Sequence, residues 1–374
     1  MATVQSFVTG NGDDQRTLVV VFLRGGADGL NLVAPLQDDG YYHARPRIAI
    51  APGKATPLDG FFGLNPLLAP LAPAYKDGAL AIVHAAGSED STRSHFEAQD
   101  LMEHGGLVGG GWLGRFLRTQ GVGAAGPLSA VVLGKSVPGC LRGAPATTVL
   151  QSLDEFSLGQ TRAPLMRSLE TLYALEDGGL GAAGRDTLEA VRRIDKLRQT
   201  DYQPDHGAEY GKDDFAQGLR QIARLIKARV GLRAASVDLG GWDSHFSQAT
   251  IMDPQIRRLA QGLAAFYRDL GSAISQATVV VMTEFGRRLE ENSAFGTDHG
   301  RGSVMFVLGG GVHGGRVLGK WPGLTREVLE GPGDLPVVTN YRNVLAPILE
   351  RHGATGLLGQ IFPEFSFDPV PLFD

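Results

Sequence analysis

Aspartate, glutamate and histidine residues occur in short clusters that each lie beside a run of apolar residues. The candidate metal ligands in these clusters are Asp28, Asp243, His245, Glu284, Asp298 and His299. Carboxylate oxygens and imidazole nitrogens are the donors that proteins use to bind divalent metal ions. If the apolar runs are strands of one sheet, we expect these side chains to gather at one of its edges. The sequence therefore predicts a site for one or two divalent ions, with Zn, Mn, Mg and Ca all open.

A further cluster combines three hydroxyl groups with two basic side chains. Ser91, Thr92 and Ser94 surround Arg93, and His95 follows directly. A hydroxyl needs a base or a metal ion to become a nucleophile at neutral pH. Arginine suits bidentate binding of phosphate or sulfate oxygens. We therefore expect one of the three hydroxyls, not yet distinguished, to be a nucleophile, with Arg93 and His95 beside it.

Purely structural interpretations compete with these roles. Ser94 could cap a helix over residues 96–103, with Glu97 as its capping-box partner, and this is compatible with anion binding at the same helix start. Asp28 could cap a helix that begins near residue 30. Glu284 is either a ligand, a general base or half of a buried ion pair with Arg287. Asp298 either binds the metal or orients a neighbouring ligand.

Six apolar segments rich in β-branched residues are typical of strands buried on both faces of a parallel sheet. They cover residues 17–24, 79–85, 128–133, 234–239, 277–283 and 303–308. Amphipathic helices are predicted over residues 165–176, 187–200, 214–230 and 254–276. Asp213 or Asp214 and Asp253 are the expected N-caps, the last followed by a proline.

This alternation predicts an α/β fold with a doubly wound, mainly parallel sheet sandwiched by helices. In such sheets the ligand site lies beyond the carboxyl ends of the strands, where the acidic and histidine clusters occur. No linker divides the chain, so we expect one domain over residues 1–374, with a helical insertion or cap within about 121–230.

Composition excludes several classes of protein. The 374 residues carry a net charge of −5 without a strongly basic segment, which argues against nucleic-acid binding. No apolar stretch approaches ~20 residues, so no membrane span is expected. With Cys140 alone, an intrachain disulfide is excluded. Residues 1–14 show no export signal, so the sequence as written predicts a cytoplasmic protein, or a periplasmic one whose signal was removed. The oligomeric state is left open.

Together the clusters resemble the DUF1501 family, which is grouped with the alkaline phosphatase-like superfamily of sulfatases and phosphopentomutases. The segments that carry the resemblance are 22–31 (FLRGGADGLN), 93–99 (RSHFEAQ), 241–245 (GWDSH), 283–287 (TEFGR) and 296–300 (GTDHG). The resemblance implies an alkaline phosphatase-like sandwich with two metal ions at the strand ends. It also implies that Asp28, Asp243, His245 and His299 are ligands.

The chain departs from the superfamily after residue 283, where an Asp-His pair is usual and Glu284-Phe285 stands instead. One of the two implied metals would therefore be absent, weaker or differently held. The sequence predicts a metal-dependent hydrolase of phosphate or sulfate esters, in which a metal-activated hydroxyl or water attacks. The alternatives are a catalytically degenerate binding protein for an anionic sugar or glycan, and a phosphosugar mutase. The expected partner is a small anionic ester or a glycan.

Overall fold

The computed structural model describes residues 16–121, 126, 128–153, 162–176 and 178–374. Its strands are β1 (Thr17–Arg24), β2 (Val33–Pro35), β3 (Thr56–Pro57), β4 (Phe62–Leu64), β5 (Leu80–Gly87), β6 (Ala130–Leu133), β7 (Thr148–Leu150), β8 (Ala234–Gly240), β9 (Ala277–Thr283), β10 (Ser303–Gly309), β11 (Val317–Leu318) and β12 (Thr339–Asn340). Its α-helices are α1 (Gly29–Leu32), α2 (Asp39–Ala44), α3 (Ala72–Lys76), α4 (His95–His104), α5 (Trp112–Thr119), α6 (Arg162–Ala174), α7 (Gly179–Arg198), α8 (Asp214–Lys227), α9 (Gln248–Leu270), α10 (Tyr341–Leu349) and α11 (Leu358–Ile361). Short 3₁₀ segments lie at Pro66–Leu71, Gly139–Leu141 and Gly271–Gln276, and a π-helical turn at Glu350–Ala354.

One large mixed sheet forms the centre of the molecule, in the order β11-β5-β10-β9-β1-β8-β6-β7, with β12 also paired to β5. The central strand β1 is parallel to both β8 and β9. Among the longer strands of the described residues, only β10 runs antiparallel to its neighbours β5 and β9. A second, small sheet joins β2, β4 and β3. The prediction of a mainly parallel sheet is confirmed.

Helices cover both faces of the large sheet, which explains why its strands are apolar throughout. Along β1, Val19 and Val21 pack into one hydrophobic core together with residues of α8 and α9. Leu18 and Val20 point to the opposite face and pack with residues of α5 and α10. Because successive side chains of a strand alternate between faces, a strand between two cores needs apolar residues at every position. The predicted α/β sandwich is confirmed.

All six predicted strands are present, and the helices differ mainly at their ends. Asp213 caps α8 as predicted, because its carboxylate accepts the backbone N–H of Ala216 at 3.1 Å. The prediction that Asp253 is an N-cap is wrong, since α9 already begins at Gln248. Pro254 is exposed and lies inside this helix.

The predicted helical insertion covers α6 and α7, which pack against each other, and also α8, which packs on the sheet. Its boundaries, and the single-domain assignment, stay predictions. The described residues do not include 122–125, 127, 154–161 and 177 of this region. They also do not include residues 1–14, on which the prediction about an export signal depends. No helix in the described ranges has the length and apolar character needed to cross a bilayer.

The strand ends are level at one edge of the large sheet. Arg24 at the end of β1 pairs with Gly240 at the end of β8, and Leu23 pairs with Thr283 at the end of β9. Because β10 is antiparallel, its first residue rather than its last lies at this edge. The loops that follow β1, β5, β8 and β9, and the loop that precedes β10, therefore meet there.

Candidate metal centre

Three histidines converge on one carboxylate oxygen at this edge. The Nε2 atoms of His245, His299 and His95 lie 3.1, 3.2 and 3.5 Å from Asp243 Oδ1. The Nε2 atoms of His245 and His299 are 2.8 Å apart. The donor atoms of His95, Asp243 and His299 all lie within 4.8 Å of one another. We refer to His95, Asp243, His245 and His299 as the four-residue cluster.

The other ring nitrogen of each histidine faces a hydrogen-bond acceptor. Nδ1 of His95 lies 2.8 Å from Glu284 Oε1, and Nδ1 of His299 lies 2.8 Å from the carbonyl oxygen of Arg93. Nδ1 of His245 lies 3.4 Å from Asp298 Oδ1. With its proton on Nδ1, each ring would donate to this acceptor and would leave Nε2 free to bind a metal ion. Metal-bound histidines are held in this way.

The donor set of His95, Asp243 and His299 fits a metal ion, and His245 Nε2 lies beside Asp243 and His299. If both rings are neutral with the proton on Nδ1, the Nε2 lone pairs of His245 and His299 face each other and repel. A cation bound between them would remove this repulsion. The Nε2 atom of His95 is buried and has no hydrogen-bond partner within the described part of the chain. With Zn–N distances near 2.0–2.1 Å, a tetrahedral site separates its donors by about 3.3 Å. The separations of 3.1 to 3.5 Å from Asp243 bracket that value.

Glu284 holds His95 in place instead of joining the cluster. Its side chain is fully buried, and Oε1 accepts from His95 Nδ1, Gln99 Nε2 and the backbone N–H of Gly25, while Oε2 accepts from Thr283 Oγ1. Burial acts to raise the pKa of this carboxyl, but the hydrogen bonds from His95 and Gln99 outweigh it and lower the pKa below its ordinary value. The same hydrogen bond raises the pKa of His95.

Arg287 fixes the loop that carries Asp243. Its side chain is fully buried and donates to Asp243 Oδ1 at 2.7 Å and to the carbonyl oxygens of Gly25, Gly26 and Thr297. Burial acts to raise the pKa of Asp243, but Arg287 outweighs it and the pKa falls to about 2. The alternative of a Glu284–Arg287 ion pair is wrong, because each of the two groups has other partners.

The ring of Phe285 packs against the histidines, and Gly25 allows a close backbone approach beside them. The ring of Phe285 lies 4.8 Å from that of His95 and 4.9 Å from that of His299. Gly25 has a φ of +122°, and a Cβ there would lie 2.7 Å from the backbone nitrogen of Asp243. Only glycine therefore allows β1 to end this close to Asp243.

Asp28 is placed outside the four-residue cluster. Its buried carboxylate accepts two hydrogen bonds from Arg45, at 2.5 and 3.0 Å, and one from Gln248 at 2.7 Å. It precedes α1 without a side-chain capping bond. The structure thus gives Asp28 a buried ion pair with Arg45 and no capping bond, and its role as a metal ligand stays a prediction. Asp298 also lies beside the cluster, where it orients His245.

The three candidate nucleophiles make no hydrogen bond to the cluster in the described residues. Ser91 is exposed, and Thr92 donates to Glu97 at 2.7 Å while accepting from the backbone N–H of Ser94 at 3.2 Å. Ser94 precedes α4, but its side chain makes no capping bond. The predicted Ser94–Glu97 capping box is wrong, because Thr92 takes the place of Ser94 as the partner of Glu97.

Arg93 contributes its backbone instead of its side chain. Its carbonyl oxygen holds His299, whereas its guanidinium pairs with the buried carboxylate of Asp334 and with the carbonyl of Gly331. The guanidinium of Arg93 is therefore engaged by Asp334 and Gly331 and does not form the anion-binding group expected from the sequence.

A cavity of about 440 Å³ lies at the carboxyl ends of β1, β6 and β8, and none of the four cluster residues lines it. Its lining includes Arg24, Lys135 and Asp238. Arg24 donates to Gln99 Oε1 at 3.1 Å, and Gln99 in turn donates to Glu284, so a hydrogen-bonded chain connects this cavity to His95.

Several supporting residues were not singled out from the sequence. Gln99 lies four residues after His95 in a predicted helix and thus on the same face, which was a usable signal. Gln248 and Asn292 lie in loops or at a helix start, where no periodicity marks them.

The chain belongs to the family described as "Protein of unknown function (DUF1501)", whose model matches residues 81–354. No functionally curated protein matches it in sequence. A solved structure similar to it is the C-terminal periplasmic domain of EcEptC from Escherichia coli in complex with zinc, at 11% identity and a TM-score of 0.37, covering 81% of this chain and 74% of that one. The 2-O GAG sulfatase BT1596 has 11% identity and a TM-score of 0.36, covering 96% and 76%. Ps i-CgsB in complex with k-i-k-neocarrahexaose has 8% identity and a TM-score of 0.34, covering 88% and 68%.

Proposed function

We propose that this DUF1501 member is a metal-dependent hydrolase of small phosphate or sulfate esters, with His95, Asp243, His245 and His299 as its metal ligands. The observation that carries the proposal is the convergence of three imidazole Nε2 atoms on one carboxylate oxygen, with an acceptor facing the opposite nitrogen of each ring. Placement in the alkaline phosphatase-like superfamily belongs to the same proposal, and the motif resemblance and the mainly parallel sheet support it.

The donor set narrows the choice of metal. Mg²⁺ and Ca²⁺ prefer oxygen ligands, whereas imidazole suits zinc and other transition metals. Three histidines and one aspartate therefore favour zinc, with manganese second among the four ions considered from the sequence. We propose one ion, because Asp28 and Glu284 are already engaged by other partners.

A divalent ion bound there would polarise an ester oxygen and lower the pKa of a coordinated water. The buried Arg287 offsets one of the two carboxylates of Asp243 and Glu284, so a divalent ion would leave the centre positively charged and attractive to an anionic ester. Because no hydrogen bond links the hydroxyl of Ser91, Thr92 or Ser94 to the cluster among the described residues, we favour water over a side-chain hydroxyl as the nucleophile.

The test combines metal analysis with a panel of phosphomonoesters, phosphodiesters and sulfate esters. Protein stripped by a chelator and reloaded with zinc or manganese should release phosphate or sulfate. His299→Ala should lose both the bound ion and turnover, and His43→Ala, which changes an exposed histidine, should keep both. A wild-type protein that binds neither ion and hydrolyses none of the esters would refute the proposal. Saturable binding without turnover would instead support the binding protein, and conversion of a sugar phosphate without free phosphate would support the mutase.

A further inference from the structure

We propose that Asn292 is a positioning residue that fixes the direction of the His245 ring, an inference that rests on the proposed metal centre. Asn292 lies in the loop between β9 and β10 and touches no reacting group. It contacts both the backbone of His245 and the carboxylate that orients this histidine.

The side-chain amide of Asn292 is fully used. Its Nδ2 donates to the carbonyl oxygen of His245 at 2.8 Å and to Asp298 Oδ1 at 3.4 Å. Its Oδ1 accepts the backbone N–H groups of Ala294 at 2.9 Å and Gly296 at 3.1 Å. An asparagine side chain offers two donors and two acceptor positions, so all four are occupied. One amide thus connects His245 with the partner of its Nδ1.

Backbone contacts show how closely the two loops are joined. The N–H groups of Ser247 and Gln248 donate to the carbonyl oxygens of Ala294 and Phe295, both at 2.8 Å. A Cβ on Gly296 would lie 2.3 Å from the carbonyl carbon of His245.

Two residues of these loops have left-handed backbone conformations. Ser247 has a φ of 43° and Phe295 a φ of 59°. Such conformations are costly for residues with side chains and persist only where the surroundings enforce them. The amide of Asn292, bonded on both sides of Phe295, provides that constraint.

The direction of the His245 ring, and with it the position of Nε2, follows from these contacts. His245 is held through its carbonyl by Asn292 and through Nδ1 by Asp298, and Asn292 holds Asp298 as well. Asn292→Ala removes all four hydrogen bonds. Asn292→Asp keeps the shape but places a carboxylate oxygen against the His245 carbonyl and the Asp298 carboxylate, where two acceptors would face each other.

The test measures zinc affinity by competition with a chromophoric chelator, together with thermal unfolding of the metal-free proteins. We expect Asn292→Ala and Asn292→Asp to raise the Kd for zinc about 10- to 100-fold, as is typical when a partner of a metal ligand is lost. The visible spectrum of the cobalt-substituted protein should change, since it reports ligand geometry. Asn65→Ala is the matched control, because Asn65 also joins loop backbone groups through its amide but lies outside the centre. It should lower stability and leave the Kd and the cobalt spectrum unchanged.

The outcomes separate this inference from the proposed function. Wild-type protein that binds zinc, with Asn292 variants of equal Kd and equal cobalt spectrum, overturns the role of Asn292 alone. Wild-type protein that binds neither zinc nor cobalt overturns both. If Asn292→Ala does not fold, the isosteric Asn292→Asp decides the question.

Discussion

Replacing Asp28 by asparagine distinguishes a structural role from a metal-binding role for this residue. Asp28 and Arg45 both have fully buried side chains, with a shortest contact of 2.5 Å. Asparagine removes the negative charge and leaves the Arg45 cation without a counter-ion. Breaking a buried pair in this way costs about 3–5 kcal/mol. Because Arg45 keeps three other acceptors at 2.7 to 2.9 Å, we expect the lower end of the range, about 3 kcal/mol.

This cost translates into a measurable change in melting temperature. The entropy of unfolding is about 2.1 cal/mol/K per residue, or about 0.8 kcal/mol/K for this chain, so about 3 kcal/mol lowers Tm by about 4 °C. Zinc affinity should stay at the wild-type value, since Asp28 makes no contact with the four-residue cluster among the described residues. Calorimetry of the metal-free protein and a zinc titration measure the two quantities, with the exposed Asp39→Asn as control. An unchanged Tm with a zinc Kd raised tenfold or more would refute the reasoning and identify Asp28 as a ligand.

The remaining predictions concern pH, loop packing and metal removal. Burial lowers the pKa of His84 from 6.5 to about 4. Because the unfolded chain takes up the proton at a higher pH than the folded chain, the free energy of unfolding should fall as the pH drops from 6.5 to about 4. The total loss approaches about 3 kcal/mol. His84→Gln should flatten this part of the pH–stability curve, and an unchanged slope would assign it to other groups. Gly25→Ala should raise the zinc Kd by displacing Asp243, and a variant with wild-type affinity would show that the loop adapts. Zinc at 100 times its Kd should stabilise the protein by about 2.7 kcal/mol, detected as a Tm about 3 °C above that in chelator; equal Tm values would contradict specific binding to the folded state.

The strands and the edge that carries the candidate site could be predicted from the sequence because their physical signals are local. A strand between two cores must be apolar at every position, and β1 and β9 have that pattern in full. Clusters that follow such runs have to lie at a strand end. Asp243, His245 and His299 come together for this reason.

The partners of the acidic residues could not be predicted, because they depend on tertiary packing. Arg45 ends a short helix without amphipathic periodicity, and nothing local indicates that it reaches Asp28. Whether Glu284 binds a metal or an imidazole depends on how α4 lies against β9. The predicted start of α9 at residue 254 is six residues too late, because aspartate followed by proline is typical of a first turn, whereas the helix begins at Gln248, whose N–H donates to Phe295 in a neighbouring loop.

The reversed direction of β10 has a consequence for how this scaffold can diversify. Because β10 is antiparallel to β9, the loop between them stays at one edge of the sheet. This one loop supplies Glu284, Arg287, Asn292, Asp298 and His299. Lengthening or shortening that loop would rebuild one side of the candidate metal centre while every strand kept its register. Homologues that differ in chemistry are therefore expected to differ first in this one stretch.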